Sequence, residues 1–235
     1  MALTVAVEGL PGCGKTTVIE MMMDDLRRRG LKVKMVDIET IGHAPILRAI
    51  ARTYSLGHPA RIILFWVLRL QQYDTLQEML GGTDIIFADR FWGSSLAFDV
   101  YGNGVPREIL EWVGQHIKRQ PDITFLFEAP IEVVRQRKEA KTISDDGFAR
   151  RVEKGYQELA DALSWIRVDA AQGPEQVKED CLGNLSLLVQ IRYHEGYVSI
   201  QSNTVGGADQ EIPSADRVRA KHPLSRVPFP QGHAI

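Results

Sequence analysis

The chain has 235 residues, of which 44% are hydrophobic and 25% are charged, as is usual for soluble globular proteins. Its formal net charge of −2 argues against general binding to nucleic acid or to anionic membranes, and its two cysteines provide neither a disulfide framework nor a zinc site. Because no apolar run approaches a membrane span and the first run is too short for a signal peptide, we expect a cytoplasmic protein.

Short apolar runs alternate along the chain with longer amphipathic stretches. The strand candidates are residues 3–7, 33–38, 84–88, 123–127 and 166–168. The helix candidates are residues 16–29, 44–55, 59–80, 106–118, 130–139, 145–163 and 173–191. This alternation predicts a three-layer α/β fold with a five-stranded parallel sheet and helices on both faces. The carboxyl ends of the strands then meet at one edge, where we expect the functional loops.

The composition changes near residue 197. Ser, Asn, Gly, Pro and scattered charges dominate from there to Ile235, and the apolar periodicity is lost. We therefore expect one folded domain over residues 1–196 and a flexible tail over residues 197–235.

The first predicted strand runs into a G-x-x-x-x-G-K-[ST] loop, and a predicted helix follows it. In this strand–loop–helix setting, glycines allow backbone N–H groups to surround phosphate oxygens, the lysine reaches the terminal phosphates, and the hydroxyl binds Mg²⁺. The loop residues are Gly9, Gly12, Cys13, Gly14, Lys15, Thr16 and Thr17. The pattern predicts a phosphate-binding (P-loop) fold that binds a nucleoside triphosphate.

The third predicted strand ends at the pair Asp89-Arg90. In many phosphate-binding-loop folds this strand lies beside the first strand, so that the carboxylate can hold Mg²⁺ directly or through water. The forked guanidinium of Arg90 suits a phosphate. The alternative is a surface ion pair at the end of a strand.

Two further features depend more on their context. Phe65 and Arg69 are four residues apart on a predicted helix, so one face carries an aromatic plate and a forked donor suited to a base; burial in the core is the alternative. A basic cluster containing Arg135 and Arg137 precedes a polar turn and a second helix, as in a mobile lid over about residues 136–147. The alternative for this cluster is a solvated helix face.

Together, in this order and spacing, these features resemble the thymidylate kinase family. The resemblance covers about residues 5–177 and includes Glu8-Gly9-Leu10, the phosphate loop, Phe65-x-x-x-Arg69 and Asp89-Arg90-Phe91. Further matching segments are residues 94–98, 121–126, 148–160 and 169–172. The family pattern implies a kinase domain that uses ATP and Mg²⁺, acts on a small nucleotide and forms a homodimer through the helices near 59–80 and 106–118.

The resemblance also implies particular roles. On the donor side, the loop would hold the ATP phosphates, Thr16 and Asp89 the metal, and Ala171 and Gln172 would lie near adenine. On the acceptor side, Phe65 would stack on thymine, Arg69 would bond its O4, and Arg90 would clamp the acceptor phosphate. The remaining pocket residues would be Ser94, Ser95, Phe98 and Tyr156. Lys15, Arg90 and the lid residues Arg135 and Arg137 would be catalytic.

Four positions depart from the family pattern, and three of them fall on the acceptor side. Pro11 replaces an acidic loop residue, the stretch over residues 37–43 lacks the arginine of an Arg-Glu-Pro-Gly-Gly segment, and Asp99 replaces Gln. Glu128 replaces an Asp after the fourth strand.

We expect ATP-dependent and Mg²⁺-dependent phosphorylation of a pyrimidine deoxynucleotide monophosphate, dTMP to dTDP. The departures keep open a kinase of the same fold that acts on a nucleoside, a modified nucleotide or another small metabolite, for which Glu39 or Asp89 could serve as a base. A nucleotide-dependent switch and an inactive member of the family are the remaining alternatives.

Overall fold

A computed structural model describes residues 2–39, 41–42, 44–53, 58–137 and 146–186. The strands are β1 (Leu3–Gly9), β2 (Val33–Asp37), β3 (Ile85–Asp89), β4 (Ile123–Glu128) and β5 (Ile166–Asp169). The helices before the fourth strand are α1 (Lys15–Arg28), α2 (Ala44–Thr53), α3 (His58–Met79), α4 (Trp92–Ser95) and α5 (Arg107–Gly114), with a π-helical segment (Leu96–Gly102) between α4 and α5. The later helices are α6 (Ile131–Gln136), α7 (Asp146–Leu163) and α8 over residues 174–186.

The five strands form one parallel sheet in the order β2-β3-β1-β4-β5. In this sheet Val7 of β1 lies opposite Asp89 of β3 on one side and Phe125 of β4 on the other. The predicted fold class is therefore confirmed, and so is the position of the Asp89 strand beside the first strand. All five carboxyl ends meet at the edge that carries the phosphate loop.

Two hydrophobic cores cover the two faces of the sheet. Successive side chains of β1 point into different cores. Ala6 packs in the core beneath α3, α5 and α7. Val5 and Val7 pack in the core beneath α1 and α8. β1 is buried along its whole length because helices cover both of its faces. Glu8 shares the face of Ala6, so its side chain lies on the α3 and α7 side of the sheet.

The predicted elements agree with the observed ones, with three differences. Helix α5 ends at Gly114, four residues before the predicted end, and α6 ends at Gln136, three residues before the predicted end. Helix α4 with the π-helical segment was not predicted. The π-helical segment packs closely on α7: a Cβ atom at Gly102 would lie 2.7 Å from the Phe148 ring and 2.8 Å from Val152. This segment depends on a tertiary contact that local patterning does not reveal.

Several predictions fall outside the described residues. They are most of the lid (138–145), the end of the last predicted helix (187–191) and the tail (197–235). Within the described part of the chain, every helix is too short or too polar to cross a membrane.

Candidate active site

The phosphate loop connects β1 to α1 at the carboxyl edge of the sheet. Gly9 has a φ of 138°, and a Cβ atom there would lie only 2.5 Å from the carbonyl oxygen of Phe127. Gly12 and Gly14 also have positive φ values, of 83° and 91°. These conformations require glycine, so the spacing of the motif follows from the path of the backbone. Cys13 is buried within the loop, and Thr17 is exposed in the first turn of α1.

Lys15 curls back over this loop. Its Nζ atom donates hydrogen bonds to the carbonyl oxygens of Leu10 at 2.8 Å and Gly9 at 3.3 Å, and to Cys13 Sγ at 3.4 Å. Burial, together with the nearby Arg90, lowers the pKa of Lys15. Neutral carbonyl and thiol groups compensate a buried cation only in part. An anion such as phosphate would form stronger, charge-assisted hydrogen bonds with Lys15 Nζ.

Thr16 and Asp89 lie together beside the loop. The Thr16 hydroxyl donates a hydrogen bond to Asp89 Oδ2, which connects the start of α1 to the end of β3. Both groups present hard oxygen atoms of the kind that Mg²⁺ prefers. No cluster of three or more His, Cys, Asp or Glu side chains suited to a metal occurs within the described ranges. Mg²⁺ is usually held by one or two protein oxygens plus phosphates and water, so a site of this kind does not need such a cluster.

Arg90 has an unusual backbone conformation, with a φ of 62°. The left-handed region costs a non-glycine residue about 1–2 kcal/mol. Three hydrogen bonds hold it there: its N–H donates to Val7 O at 3.0 Å, and its carbonyl accepts from Arg69 and Gln72, each at 2.8 Å. The backbone is therefore constrained from two sides, as at many functional sites.

The Arg90 side chain points toward the phosphate loop. Its Nη1 atom donates to Gly9 O at 2.7 Å, to Tyr156 OH at 3.1 Å and to Ser94 Oγ at 3.4 Å. Gly9 O thus accepts hydrogen bonds from both Arg90 and Lys15. Two cations that belong to different parts of the sequence converge on one carbonyl oxygen.

Phe65 and Arg69, which lie one turn apart on α3, differ in burial. Phe65 is 47% exposed, whereas Arg69 is 4% exposed. Arg69 Nη1 donates to Gln72 Oε1 and to the Arg90 carbonyl, while its buried Nε atom has no hydrogen-bond partner. Arg69 therefore lies in the interior beneath Arg90, four residues along the helix from an accessible aromatic ring.

The other predicted pocket residues surround Arg90. Ser94 and Ser95 are buried on α4, and Tyr156 is buried on α7. Phe98 is half-buried between them, with the Arg90 guanidinium 5.6 Å from its ring centre and the Tyr156 ring edge-on at 6.2 Å. The structure therefore brings together residues of α4, the π-helical segment and α7 around one guanidinium.

Arg137 lies on the donor side of the loop. Its Nη1 donates to Cys13 O at 3.2 Å and its Nη2 to Ala170 O at 2.8 Å, so it bridges the phosphate loop and the turn after β5. Ala171 is exposed in that turn, where its N–H donates to Asp169, and Gln172 is anchored to the Asp169 carbonyl at 3.3 Å. Arg135 is exposed in the last turn of α6.

The structure shows the hydrogen-bond or ion-pair partners of two residues that depart from the family pattern, Asp99 and Glu128. Asp99 is buried and accepts a hydrogen bond from Trp66 Nε1 at 2.6 Å, which joins the π-helical segment to α3. Glu128 instead lies near the surface and pairs with Arg167 at 2.8 Å. The first is a structural link between two walls of the site, and the second is an ion pair at the end of β4.

Two buried polar residues of the site were not predicted to have a role. Gln72 donates to both Val36 O and Arg90 O, and Glu8 accepts hydrogen bonds from α4 and α7. The available signal for Glu8 was a carboxylate within an otherwise mostly apolar strand, directly before the glycine loop. For Gln72, helix periodicity placed it near the Arg69 face but did not indicate its partner.

Comparison with known proteins agrees with this geometry. The family model described as thymidylate kinase matches residues 7–181. A thymidylate kinase of Synechococcus sp. (strain CC9605) is 32% identical over 192 residues, which cover 74% of this chain and 92% of the relative. A thymidylate kinase of Acinetobacter baumannii (strain SDF) is 28% identical over 199 residues, covering 77% and 99%.

The matched region contains the end of β1, strands β2 to β5, the phosphate loop and every described side chain around Arg90. A second Synechococcus relative (strain RCC307), also a thymidylate kinase, is 30% identical over 195 residues. The protein is thus a phosphotransferase that acts on a nucleoside monophosphate, and the chain belongs to the thymidylate kinase family.

Proposed function

We propose that this protein transfers the γ-phosphoryl group of ATP, with Mg²⁺, to the 5′-phosphate of dTMP and forms dTDP. The observation that carries this proposal is the convergence of Lys15 and Arg90 on the Gly9 carbonyl. Lys15 belongs to the loop for the donor phosphates, and Arg90 lies among the acceptor-side residues. A phosphoryl group that passes between two phosphates needs positive charge at their junction.

The acceptor phosphate is itself the nucleophile, so no strong general base is required. Catalysis then depends on in-line positioning and on cations that match the charge of the loose transition state. Lys15 exchanges its carbonyl partners for phosphate oxygens of ATP, and Arg90 exchanges Gly9 O for the acceptor phosphate. Both exchanges replace a neutral acceptor by an anion and are therefore favourable.

Mg²⁺ would be held by the Thr16 hydroxyl and the Asp89 carboxylate, which already lie in contact. When bound, the metal neutralises charge on the donor phosphates. Arg137 would stabilise the donor side through the bridge from Cys13 to Ala170, close to the predicted adenine position at Ala171 and Gln172. Arg135 and Arg137 would supply further positive charge to the lid.

The base of dTMP would lie between Phe65 and Arg69. The exposed Phe65 ring can stack on a pyrimidine, and the family pattern assigns the exocyclic oxygen of the base to the Arg69 guanidinium, four residues along the same helix. Ser94, Ser95, Phe98 and Tyr156 would enclose the sugar and phosphate. This arrangement favours a pyrimidine monophosphate over a free nucleoside, because Arg90 would otherwise lack an anionic partner.

An ADP-release assay with a panel of acceptors tests the proposal. We expect strong stimulation by dTMP, weaker stimulation by other pyrimidine monophosphates and little turnover with thymidine or without acceptor. Turnover with thymidine but not with dTMP would instead support a nucleoside kinase. Slow hydrolysis that no acceptor stimulates would support a nucleotide-dependent switch.

One observation favours a second acceptor class. The end of β2 presents Asp37 and Glu39 where the family pattern has an arginine, and Pro11 removes a carboxylate from the loop. This exchange of charge at the acceptor side suits a modified nucleotide or another small metabolite that carries a positively charged or hydrogen-bond-donating group. Such a compound should be included in the acceptor panel.

We further propose a homodimer through α3 and α5, each of which exposes a short apolar stripe. Ile63 and Val67 are exposed one turn apart on α3, and Trp112 on α5 is 66% exposed, beside the exposed Ile109. Large apolar side chains exposed together on one helix are typical of interfaces. Sedimentation velocity should show a dimer, and the double variant Ile63→Glu with Val67→Lys should sediment as a monomer if α3 forms the contact.

A further inference from the structure

Glu8 is the most deeply buried carboxylate among the residues of the site. It is 1% exposed and lies at the end of β1, directly before the phosphate loop. A charge in such a position is costly unless several donors compensate it. The surroundings of Glu8 therefore indicate what holds it in place.

Four donors from two elements surround this carboxylate. Oε1 accepts the N–H groups of Phe91 at 2.9 Å and Ser94 at 3.1 Å, at the start of α4. Oε2 accepts the Ser94 hydroxyl at 2.6 Å. The Tyr156 hydroxyl shares its one proton between Oε2 at 3.4 Å and the nearer Ser94 Oγ at 2.8 Å. The short Ser94 contact is typical of a charge-assisted hydrogen bond.

A series of hydrogen bonds connects Glu8 to Arg90. Because the Ser94 hydroxyl gives its proton to Glu8, its oxygen is free to accept from Tyr156 OH, 2.8 Å away. The Tyr156 oxygen in turn accepts from Arg90 Nη1 at 3.1 Å. Each donor in the chain Arg90–Tyr156–Ser94–Glu8 thus points toward the carboxylate.

We propose that Glu8 is a positioning residue for phosphoryl transfer: through Ser94 and Tyr156 it orients the Arg90 guanidinium toward the acceptor phosphate. A neutral side chain at this position can donate as well as accept, so the direction of the chain is no longer determined. The Arg90 Nη1 atom then loses an oriented acceptor at Tyr156 OH. The catalytic part of this proposal depends on the function proposed above.

Close packing keeps water away from the Glu8 end of this hydrogen-bond chain, where Glu8, Ser94 and Tyr156 are all buried. A Cβ atom at Gly93 would lie 2.8 Å from Glu8 Oε1 and 2.5 Å from the Trp165 ring, so only glycine lets α4 approach the carboxylate. With solvent excluded, the charge of Glu8 acts on its neighbours at a low effective dielectric constant. This strengthens its influence on the hydroxyl groups and on Arg90.

The charged and titratable groups that face Glu8 are Arg69 from α3, Arg90 from the turn after β3 and Tyr156 from α7. Burial raises the pKa of Glu8, although both arginines and the hydrogen bonds from Ser94 and Phe91 oppose this rise. Glu8 consequently protonates at a higher pH than an ordinary glutamate. As the pH falls, Glu8 should therefore become protonated before exposed carboxylates do. The hydrogen bonds from Arg90 to Glu8 then no longer have one fixed direction.

The variant Glu8→Gln tests the proposal. It keeps one acceptor oxygen for the N–H groups of α4 but replaces the other oxygen by a donor. We expect the KM for dTMP to rise about tenfold or more, because a charge-assisted interaction is replaced by a neutral one, while the KM for ATP changes less than about twofold. Tyr156→Phe, which removes only the hydroxyl link, should raise the KM for dTMP in the same direction and less than additively with Glu8→Gln.

A pH profile distinguishes positioning from simple helix capping. In the wild type, kcat/KM for dTMP should fall on the acid side with two titrations, that of the acceptor phosphate (pKa about 6) and that of Glu8. The Glu8→Gln variant should retain only the first. A carboxylate that merely stabilised α4 would affect both substrates and lower Tm without removing a titration.

Asp122→Asn is the matched control. Asp122 accepts from the N–H and hydroxyl of Thr4 near the opposite end of β1, so its loss removes a carboxylate contact from the same strand. We expect a lower Tm with unchanged KM values. An unchanged KM for dTMP in folded Glu8→Gln, or equal changes in both KM values, would overturn the proposal.

A second readout does not depend on the acceptor. The guanidinium N–H signals of Arg90, assigned with Arg90→Lys, should be protected from solvent exchange in the wild type and broadened in Glu8→Gln. If no nucleotide is phosphorylated but these signals still depend on Glu8, the proposed function fails and the positioning role stands. If the signals are identical in both proteins, the positioning role fails.

Discussion

Replacing Lys15 by methionine should separate catalysis from stability. The substitution keeps the length and approximate volume of a side chain that is only 5% exposed. It removes the Nζ donors to Leu10 O, Gly9 O and Cys13 Sγ. We expect the protein to lose transfer activity and to keep its fold.

The effect on stability is small because two opposing contributions nearly cancel. Both carbonyl groups keep another donor: Arg90 Nη1 at 2.7 Å on Gly9 O, and the Cys13 N–H at 3.4 Å on Leu10 O. Each lost hydrogen bond from the charged group is worth about 1.5–3 kcal/mol, and removing the desolvation cost of a buried cation returns several kcal/mol. A net change within about 1 kcal/mol corresponds to a Tm shift of about 2–4 °C in a chain of this length.

The effect on activity is large because Lys15 would contact the phosphate oxygens of ATP while the phosphoryl group is transferred. Loss of one such cation should reduce kcat about 10³-fold, or about 4 kcal/mol of transition-state stabilisation. Turnover measured by ADP release and Tm measured by thermal unfolding should therefore diverge. Lys34→Met, at an exposed position of β2, is the matched control and should change neither.

The pH dependence adds a further check. Burial and Arg90 lower the pKa of Lys15 below 10.5, so the unfolded chain binds this proton more tightly than the folded protein does. The charged lysine thus costs stability below its folded pKa, and the wild type gains stability as the pH rises through that value. The stability of the wild type relative to Lys15→Met should therefore increase over the same range. Turnover within about tenfold of the wild type, or a Tm loss above about 8 °C, would refute this account.

Three other substitutions test the surrounding site. Gly9→Ala places a Cβ atom 2.5 Å from Phe127 O at a φ of 138°, so we expect a loss of stability above about 2 kcal/mol and of ATP binding, measured by thermal unfolding and calorimetry. Asp89→Asn should raise the Mg²⁺ concentration needed for half-maximal turnover about tenfold, whereas Asp84→Asn at the opposite edge should not; equal curves would exclude Asp89 from the metal site. Arg137→Ala releases Cys13 O and Ala170 O and should raise the KM for ATP about tenfold, with that for dTMP unchanged; a change confined to dTMP would place Arg137 on the acceptor side instead.

The sequence alone was sufficient for the sheet and the phosphate loop. Buried parallel strands are continuous apolar runs, and the loop glycines are required by backbone conformation, so both are local properties of the chain. The position of Asp89 beside β1 was expected from the strand arrangement of many phosphate-binding-loop folds rather than from any local pattern. The spacing of Phe65 and Arg69 predicted a shared helix face, and only packing made one exposed and the other buried.

The surroundings of Arg90 were not predictable in this way. Its left-handed backbone, Gln72 beneath it and Glu8 behind Ser94 and Tyr156 join residues that are up to 148 positions apart in the chain. Helix α4 is also a tertiary product, because its first N–H groups are satisfied by a carboxylate from β1 rather than by a local cap.

The amino-acid sequence by itself determined the class of fold, the phosphate loop and the family, because each depends on periodicity or on motifs within a few neighbouring residues. Only the tertiary structure decided which polar side chains are buried together and in which direction their hydrogen bonds run. A buried carboxylate acquires its role from donors supplied by other elements, and those donors come within reach only when the helices pack on the sheet.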